Sequence, residues 1–284
     1  MSRAVVLDGE ALARRLRGEM SAELARLRAA GEREPQLVTV TVGEDPHTAA
    51  YMARKHADCA EIGLRSKDLR LPADTSEARL LSVVDSLNKD PDVSGFSVQY
   101  PLPAAISGER VILACDPAKD ADGKHPVNLG RLMWRLPAPP PCTAAGVLAL
   151  LRHHGVPLAG KRVLLIGRGF FTGRPLALML SAPGVDAVIT LAHRAAPDLE
   201  QLARSSDVII SAAGVPALVK ATMVRQGAAV VGVGISYIEG NMISDVADDV
   251  AEVAAYVTPR QGSVGALTRA MLLQNVLSCG GVVR

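Results

Sequence analysis

The sequence predicts an α/β protein of two lobes, an N-terminal three-layer α/β lobe and a second, smaller doubly wound one. Three observations predict it. β-rich apolar runs alternate with helical stretches along most of the chain, the pattern of parallel strands covered by helices. Within Lys161-Arg-Val-Leu-Leu-Ile-Gly-Arg-Gly-Phe-Phe-Thr-Gly-Arg-Pro175, a short apolar run leads into glycines at 167, 169 and 173 and then a helix start. Between the halves lies Leu136-Pro-Ala-Pro-Pro-Pro141, a stiff segment that reads as a joint. With 284 residues, 49% of them hydrophobic and 3% aromatic, the chain can fill one large or two modest aliphatic cores.

The elements follow in order. Leu12, Leu16, Met20, Leu24 and Leu27 recur at helical spacing, predicting an amphipathic helix over 8–30 that Gly31 and Pro35 break. Leu37–Val42 is β-rich and ends in the turn Gly43-Glu-Asp-Pro46. A helix over 47–62 stops at Gly63, a strand follows at 69–71, and Thr75-Ser76 caps a helix to about Leu87. Val93–Val98 predicts a third strand, running into Gln99-Tyr-Pro-Leu-Pro103. Beyond the polar, turn-rich Asp116–Pro126, Cys142-Thr143 opens a helix to about His153, with Thr143 as its N-cap. Strands are expected at 163–166, 187–192, 208–213 and 228–234, with a short helix at 198–204. The mostly apolar helix over 268–277 must be buried, which predicts that it returns to the first lobe. The corresponding division is 1–141 plus 264–284 against 142–263.

Composition excludes several classes. A net charge of +2 and a pI near 8.4 create no field that would draw nucleic acid or an anionic membrane. Cys59, Cys115, Cys142 and Cys279 are scattered, without a C-x-x-C pair or a histidine at ligand spacing. They read as free thiols of a cytoplasmic protein, with no metal site. No signal peptide or bilayer-length apolar run is visible, so a soluble protein is expected.

Strand, glycine loop and helix start in that order suit a dinucleotide, whose pyrophosphate meets free N–H groups at the helix N-terminus. The spacing is G-x-G-x-x-x-G, one residue longer than the common fingerprint, and such turns also occur without a ligand. A carboxylate usually ends the second strand of an NAD site. Here that strand ends in His193-Arg194. Arg194 suits a 2′-phosphate and Arg168 adds a second charge, so NADP is expected over NAD; otherwise both arginines are merely solvated.

In the first half, Tyr51 and Lys55 lie four residues apart on one helix face. Gln99 ends a strand, and Thr48–Lys55 and Gln99 both fall where parallel sheets bind ligands, at the carboxyl ends of strands. Taken singly, Tyr51 reads as packing and Lys55 as a solvated lysine. Together with their company they read differently.

Tyr51-Met-Ala-Arg-Lys55, Val98-Gln-Tyr-Pro-Leu-Pro103, Pro117-Ala-Lys-Asp-Ala-Asp-Gly-Lys-His-Pro126, Asn128-Leu-Gly130, Cys142-Thr143 and Gly167-Arg-Gly-Phe-Phe-Thr-Gly-Arg-Pro175 occur in that order. In this the chain resembles, over nearly its whole length, the bifunctional methylenetetrahydrofolate dehydrogenase/methenyltetrahydrofolate cyclohydrolase family. The resemblance implies a folate-binding first lobe and a Rossmann-like NADP-binding second lobe. It implies oxidation of 5,10-methylene- to 5,10-methenyltetrahydrofolate with NADP, then hydrolysis to 10-formyltetrahydrofolate. By the same resemblance Lys55 is the catalytic lysine, Tyr51 stacks on the folate, Gln99 supports Lys55 and Asp122 grips the pterin. Thr48, Pro101, Leu102, Gly265 and Thr268 complete the substrate set. The implied cofactor set is Gly167, Arg168, Gly169, Gly173, Pro175, His193, Arg194, Ala213, Gly214, Gly234 and Ile235. The family is usually a homodimer paired through its cofactor lobes.

The chain departs from the family pattern mainly in that second lobe. The usual G-R-S-x-x-V-G-x-P carries Gly169 and Thr172, and H-S-x-T becomes His193-Arg-Ala-Ala196. P-G-G-V-G-P-M-T becomes Arg260-Gln-Gly-Ser-Val-Gly-Ala-Leu-Thr268, and D-V-G-I-N becomes Gly232-Val-Gly-Ile-Ser236. Two other readings therefore stand beside the bifunctional enzyme: a paralogue with cyclohydrolase activity alone, and a non-catalytic folate- or nucleotide-binding protein.

Overall fold

In the computed structural model, residues 4–260 and 263–282 are described. The expectations that touch 1–3, 261–262 and 283–284, including part of the altered 260–268 motif, lie outside the described residues. The chain forms two compact units, one of Met1–Ala13 with Thr143–Thr268, the other of Arg14–Cys142 with Arg269–Arg284.

The chain begins with β1 (Val5–Val6) and α1 (Gly9–Ala29), and α1 passes from the first unit into the second. β2 (Gln36–Val42), β3 (Arg65–Leu71) and β4 (Gly95–Val98) then form a parallel sheet in the order β3-β2-β4. α2 (Pro46–Ile62) starts where the Asp45 carboxylate accepts from the Thr48 N–H at 2.7 Å, with Pro46 at the first helical position. Gly63, at φ 78°, ends it in the left-handed conformation. α3 (Glu77–Lys89) is capped by Ser76, whose hydroxyl accepts from the Arg79 N–H. Leu80, Val84 and Leu87 of α3 bury against Val38, Val40, Phe96 and Val98 of the sheet. α4 (Gly108–Ala114) and α5 (Pro126–Met133) follow.

α6 (Cys142–His153) begins one residue before its expected cap. The Cys142 N–H donates to the Asp122 carbonyl, so Thr143 falls inside the first turn, its hydroxyl oxygen 3.3 Å from Thr268 Oγ1. Next come β5 (Arg162–Ile166), α7 (Gly173–Ser181), β6 (Val188–Ala192), α8 (Leu199–Arg204), β7 (Val208–Ser211) and β8 (Ala229–Gly232). α7 begins at Gly173 rather than Pro175; a proline in the first turn loses no helical hydrogen bond.

The strand expected over 228–234 stops at Gly232, and an antiparallel hairpin follows, β9 (Ile235–Ile238) and β10 (Asn241–Ser244). Its two-residue loop, Glu239 at φ 49° and Gly240 at φ 79°, has the paired positive φ values that tight hairpins favour. After β11 (Tyr256–Val257) comes α9 (Val264–Cys279).

The larger sheet is parallel, in the order β1-β11-β8-β7-β5-β6. It has six strands where four were expected, because Val5 pairs with Tyr256 and Tyr256 with Ala229. This pairing also puts residues 1–13 in the unit of the larger sheet, unlike the division at 141/142 and 263/264 read from sequence. The C-terminal part of α9 belongs to the unit of the smaller sheet, as expected of a buried apolar helix. There Arg269 Nε donates to Asp58 Oδ2 at 2.6 Å, and Asn275 Nδ2 donates to the carbonyls of Ala121 and Pro140.

Candidate active site and dinucleotide cradle

The helical spacing of α2 places Lys55 one turn beyond Tyr51, and Lys55 Nζ lies 5.1 Å from the Tyr51 ring centroid. Lys55 is only 4% exposed. Its Nζ donates to Gln99 Oε1 at 3.5 Å, a long contact, while Gln99 Nε2 donates to the Tyr100 carbonyl at 2.7 Å and so fixes which way the amide faces. Gln99 is carried there by β4, in the middle of whose neighbour β2 the Val40 carbonyl accepts the Gln99 N–H.

Asp122 joins the group from the 116–126 turn. Its Oδ2 accepts from Ser97 Oγ at 2.6 Å and from Lys124 Nζ at 2.9 Å. Burial opposes the Asp122 charge, but the Lys124 and Lys55 cations and the Ser97 hydroxyl overcome it and hold the carboxyl at about 2. Lys55 moves the other way: burial lowers its pKa, Asp122 opposes that and Lys124 reinforces it. The site therefore contains a buried amine biased toward its neutral form beside a carboxylate that stays ionised.

The remaining substrate candidates divide. Thr48 is half-buried in the first turn of α2, Pro101 is exposed, and Leu102 packs on the small-sheet core. Gly265 and Thr268 fall in the other compact unit, where Thr268 Oγ1 donates to the Val264 carbonyl.

In the larger sheet, the predicted cofactor residues gather at one edge. Gly167 follows β5, His193-Arg194 follows β6, Ala213-Gly214 follows β7 and Gly234-Ile235 follows β8. Because these strands are parallel, those are all carboxyl ends. Gly167 has φ 121°, and a Cβ on it would lie 2.4 Å from the Ala212 carbonyl oxygen. A Cβ on Gly173 would fall on the Gly167 carbonyl oxygen. The loop is thus wound tightly enough to let backbone approach a pyrophosphate, and it fits a dinucleotide. Gly169 meets nothing within 4 Å and is not required by packing. Arg168 and Arg194 are exposed, Pro175 is buried, and His193 Nδ1 accepts from the Ala195 N–H.

Two residues were missed in the sequence. Asp245, fully buried, accepts from Ser211 Oγ and from the N–H groups of Ala213, Gly214 and Val215. It shapes the 211–215 turn, and a Cβ on Gly234 would strike it. A lone acidic residue after a hairpin carries no motif. Lys124 lies inside a recognised motif, yet only the fold reveals its contact with Asp122. Among the described residues no group of His, Cys, Asp or Glu could hold a metal, and no helix is long and apolar enough to cross a membrane.

Models of two domains match: the tetrahydrofolate dehydrogenase/cyclohydrolase catalytic domain over residues 7–122, and the NAD(P)-binding domain of the same family over 141–281. The chain belongs to the tetrahydrofolate dehydrogenase/cyclohydrolase family. Among solved structures of this family, it is similar to the bifunctional enzyme FolD from Campylobacter jejuni, a methylenetetrahydrofolate dehydrogenase/cyclohydrolase. The two share 35% identity with a TM-score of 0.94, covering 98% of this chain and 99% of that one. It is also similar to the FolD of Trypanosoma brucei complexed with NADP cofactor and inhibitor, at 37% identity, a TM-score of 0.93 and 98% of each chain. A 5,10-methylenetetrahydrofolate dehydrogenase from the silkworm, Bombyx mori, matches at 36% identity and a TM-score of 0.93, again over 98% of each chain.

Proposed function

We propose that the protein oxidises 5,10-methylenetetrahydrofolate to 5,10-methenyltetrahydrofolate with NADP and hydrolyses that product to 10-formyltetrahydrofolate. One observation carries the reading: a buried lysine held by an amide, beside a tyrosine ring and an ionised carboxylate, within a single compact unit.

Loss of hydride from the methylene carbon leaves a cation spread over two ring nitrogens, so oxidation needs alignment more than an acid or base. When bound, NADP supplies the hydride acceptor. Tyr51 offers its ring face to the folate, and Asp122 accepts from the pterin amine and ring N–H. Hydrolysis is different, because water adding to the methenyl carbon must give up a proton. Burial already disfavours the Lys55 ammonium, and a cationic substrate repels it further. Neutral Lys55 Nζ takes that proton. Gln99 positions the amine without fixing it as ammonium, as a carboxylate in its place would.

Arg194 after β6, where no carboxylate stands, supports the 2′-phosphate of NADP, with Arg168 as a second charge. We assign cofactor binding to the unit of the larger sheet and folate binding principally to the other. A homodimer paired through the cofactor lobes is supported by β6, an edge strand whose Val188 and Leu191 are exposed. A cytoplasmic location is supported by the free thiols of Cys59, Cys115, Cys142 and Cys279.

The test is absorbance of reduced nicotinamide and of methenyl-folate, followed together on purified protein with NADP and with NAD. Reduction of NADP with transient methenyl-folate is expected. Hydrolysis of added methenyl-folate without reduction of either cofactor would leave the cyclohydrolase-only reading. Folate binding with neither reaction would leave a binding protein.

A further inference from the structure

The turn after β7 is held by a residue to which the chemistry above gives no part. Asp245 is fully buried, and both of its carboxylate oxygens are engaged. Oδ2 accepts from Ser211 Oγ at 2.8 Å and from the N–H groups of Ala213 and Gly214 at 2.8 and 3.1 Å, and Oδ1 accepts from the Val215 N–H at 2.9 Å. Successive amides converging on one point, with Gly214 at φ 64°, form the kind of concavity that binds anions. Here the chain fills it with its own carboxylate. The Asp245 backbone is anchored on both sides, its N–H donating to the Gly234 carbonyl and its carbonyl accepting from the Val219 N–H. The amides of this turn are therefore committed, and what it offers a ligand is a fixed shape.

We propose that Asp245 is a positioning residue for hydride transfer, holding the 213–215 turn as the wall against which the nicotinamide is aligned. This rests on the NADP reading of the glycine loop. In the order β8-β7-β5-β6 the chain reverses direction beside β5, with β6 on one side and β7 and β8 on the other. Doubly wound sheets bind their ligands in the crevice at that point. With the adenosine 2′-phosphate at Arg194 after β6 and the pyrophosphate at the loop after β5, the nicotinamide half falls on the β7 side. The loops after β5 and β7 abut, since a Cβ on Gly167 would strike the Ala212 carbonyl. Pyrophosphate binding uses the β5 loop and the start of α7, so Asp245 governs where the ring sits and not how tightly the cofactor is held. Oxidation depends on that alignment more than on any acid or base.

Asp245→Asn in the full-length protein tests this. It keeps the size of the side chain but turns an NH2 toward groups that are all donors, so at least one of the bonds is lost and the turn moves. Single-turnover reduction of NADP by methylenetetrahydrofolate, with both saturating, should slow by about tenfold to a hundredfold. NADPH affinity, by fluorescence titration, should stay within a few-fold of native. Hydrolysis of added methenyl-folate, which draws on Lys55 in the other unit, should be unchanged. Ser211→Ala removes one donor and leaves the carboxylate to the amides; it should slow reduction several-fold with the same split, and it decides the matter if the asparagine variant fails to fold. A native rate of reduction in the folded asparagine variant, or in Ser211→Ala where that alone folds, overturns the role of Asp245. So does a loss of NADPH affinity or of hydrolysis as large as the loss of rate, which is what a residue that merely holds its lobe together would give. Failure of the native protein to reduce NADP overturns the cofactor reading and this inference with it.

Discussion

Replacing Lys55 by methionine separates the two proposed reactions. The side chain is 4% exposed, and methionine has nearly the same length, so the substitution fills the same space and removes an ammonium that burial disfavours. Folding should therefore be preserved. Asp122 loses one of the cations that hold it near 2, but Lys124 and Ser97 remain, so it stays ionised at neutral pH and folate affinity should hold. What disappears is the group that takes the proton from water, a role worth about 10²–10⁴ in rate. Decay of methenyl-folate absorbance in a single turnover should slow by that factor while NADP reduction is largely retained. The pH profile adds a second reading. Because burial lowers the Lys55 pKa, native hydrolysis should rise as the ammonium deprotonates and fall away as pH drops through that lowered value; the methionine variant should lack this limb. Hydrolysis within a few-fold of native, or the same limb in the variant, would refute the role of Lys55.

The other substitutions test the neighbouring parts. Gln99→Glu puts a carboxylate 3.5 Å from Nζ, which favours the ammonium; the acidic limb of hydrolysis should move to higher pH, and an unmoved limb would count against the amide's role. Gly173→Ala forces a methyl onto the Gly167 carbonyl oxygen, and the displaced loop should cost about 1–3 kcal/mol. Fluorescence titration should then show weakened NADPH binding with folate binding intact. Arg194→Ser should raise the KM for NADP about tenfold or more while sparing NAD, in steady-state assays of cofactor reduction. Equal effects on the two cofactors would remove Arg194 from the 2′-phosphate.

Much of the architecture was legible because its signals are local. Alternation of β-rich and helical runs gave the parallel sheets, and the Ser76 cap and the glycine at 63 marked helix ends where they occur. Boundaries failed where long-range contacts decided them. Thr143 has the chemistry of an N-cap, yet the Asp122 carbonyl captures the Cys142 N–H and starts α6 earlier. β1 and β11 are two residues each, too short for any pattern, and exist because they find edges to pair with. The hairpin of β9 and β10 lies beyond the strand expected over 228–234 and had no counterpart among the expected elements.

For the site, spacing put Tyr51 and Lys55 on one helix face and Gln99 at a strand end, but their roles, and Asp122 altogether, came from the resemblance to the family. Sequence spacing could not determine that Lys55 is buried, that Gln99 faces it with its oxygen, or that Asp122 shares an oxygen with Ser97 and Lys124. Nor could it give Asp245 a purpose, because its partners stand about thirty residues earlier in the chain. Local propensity and motif chemistry thus set the class of protein and the cast of reactive groups. Protonation and mutual orientation were decided by tertiary structure, because both depend on which charges and dipoles are excluded from water together, and burial is a property of the folded whole.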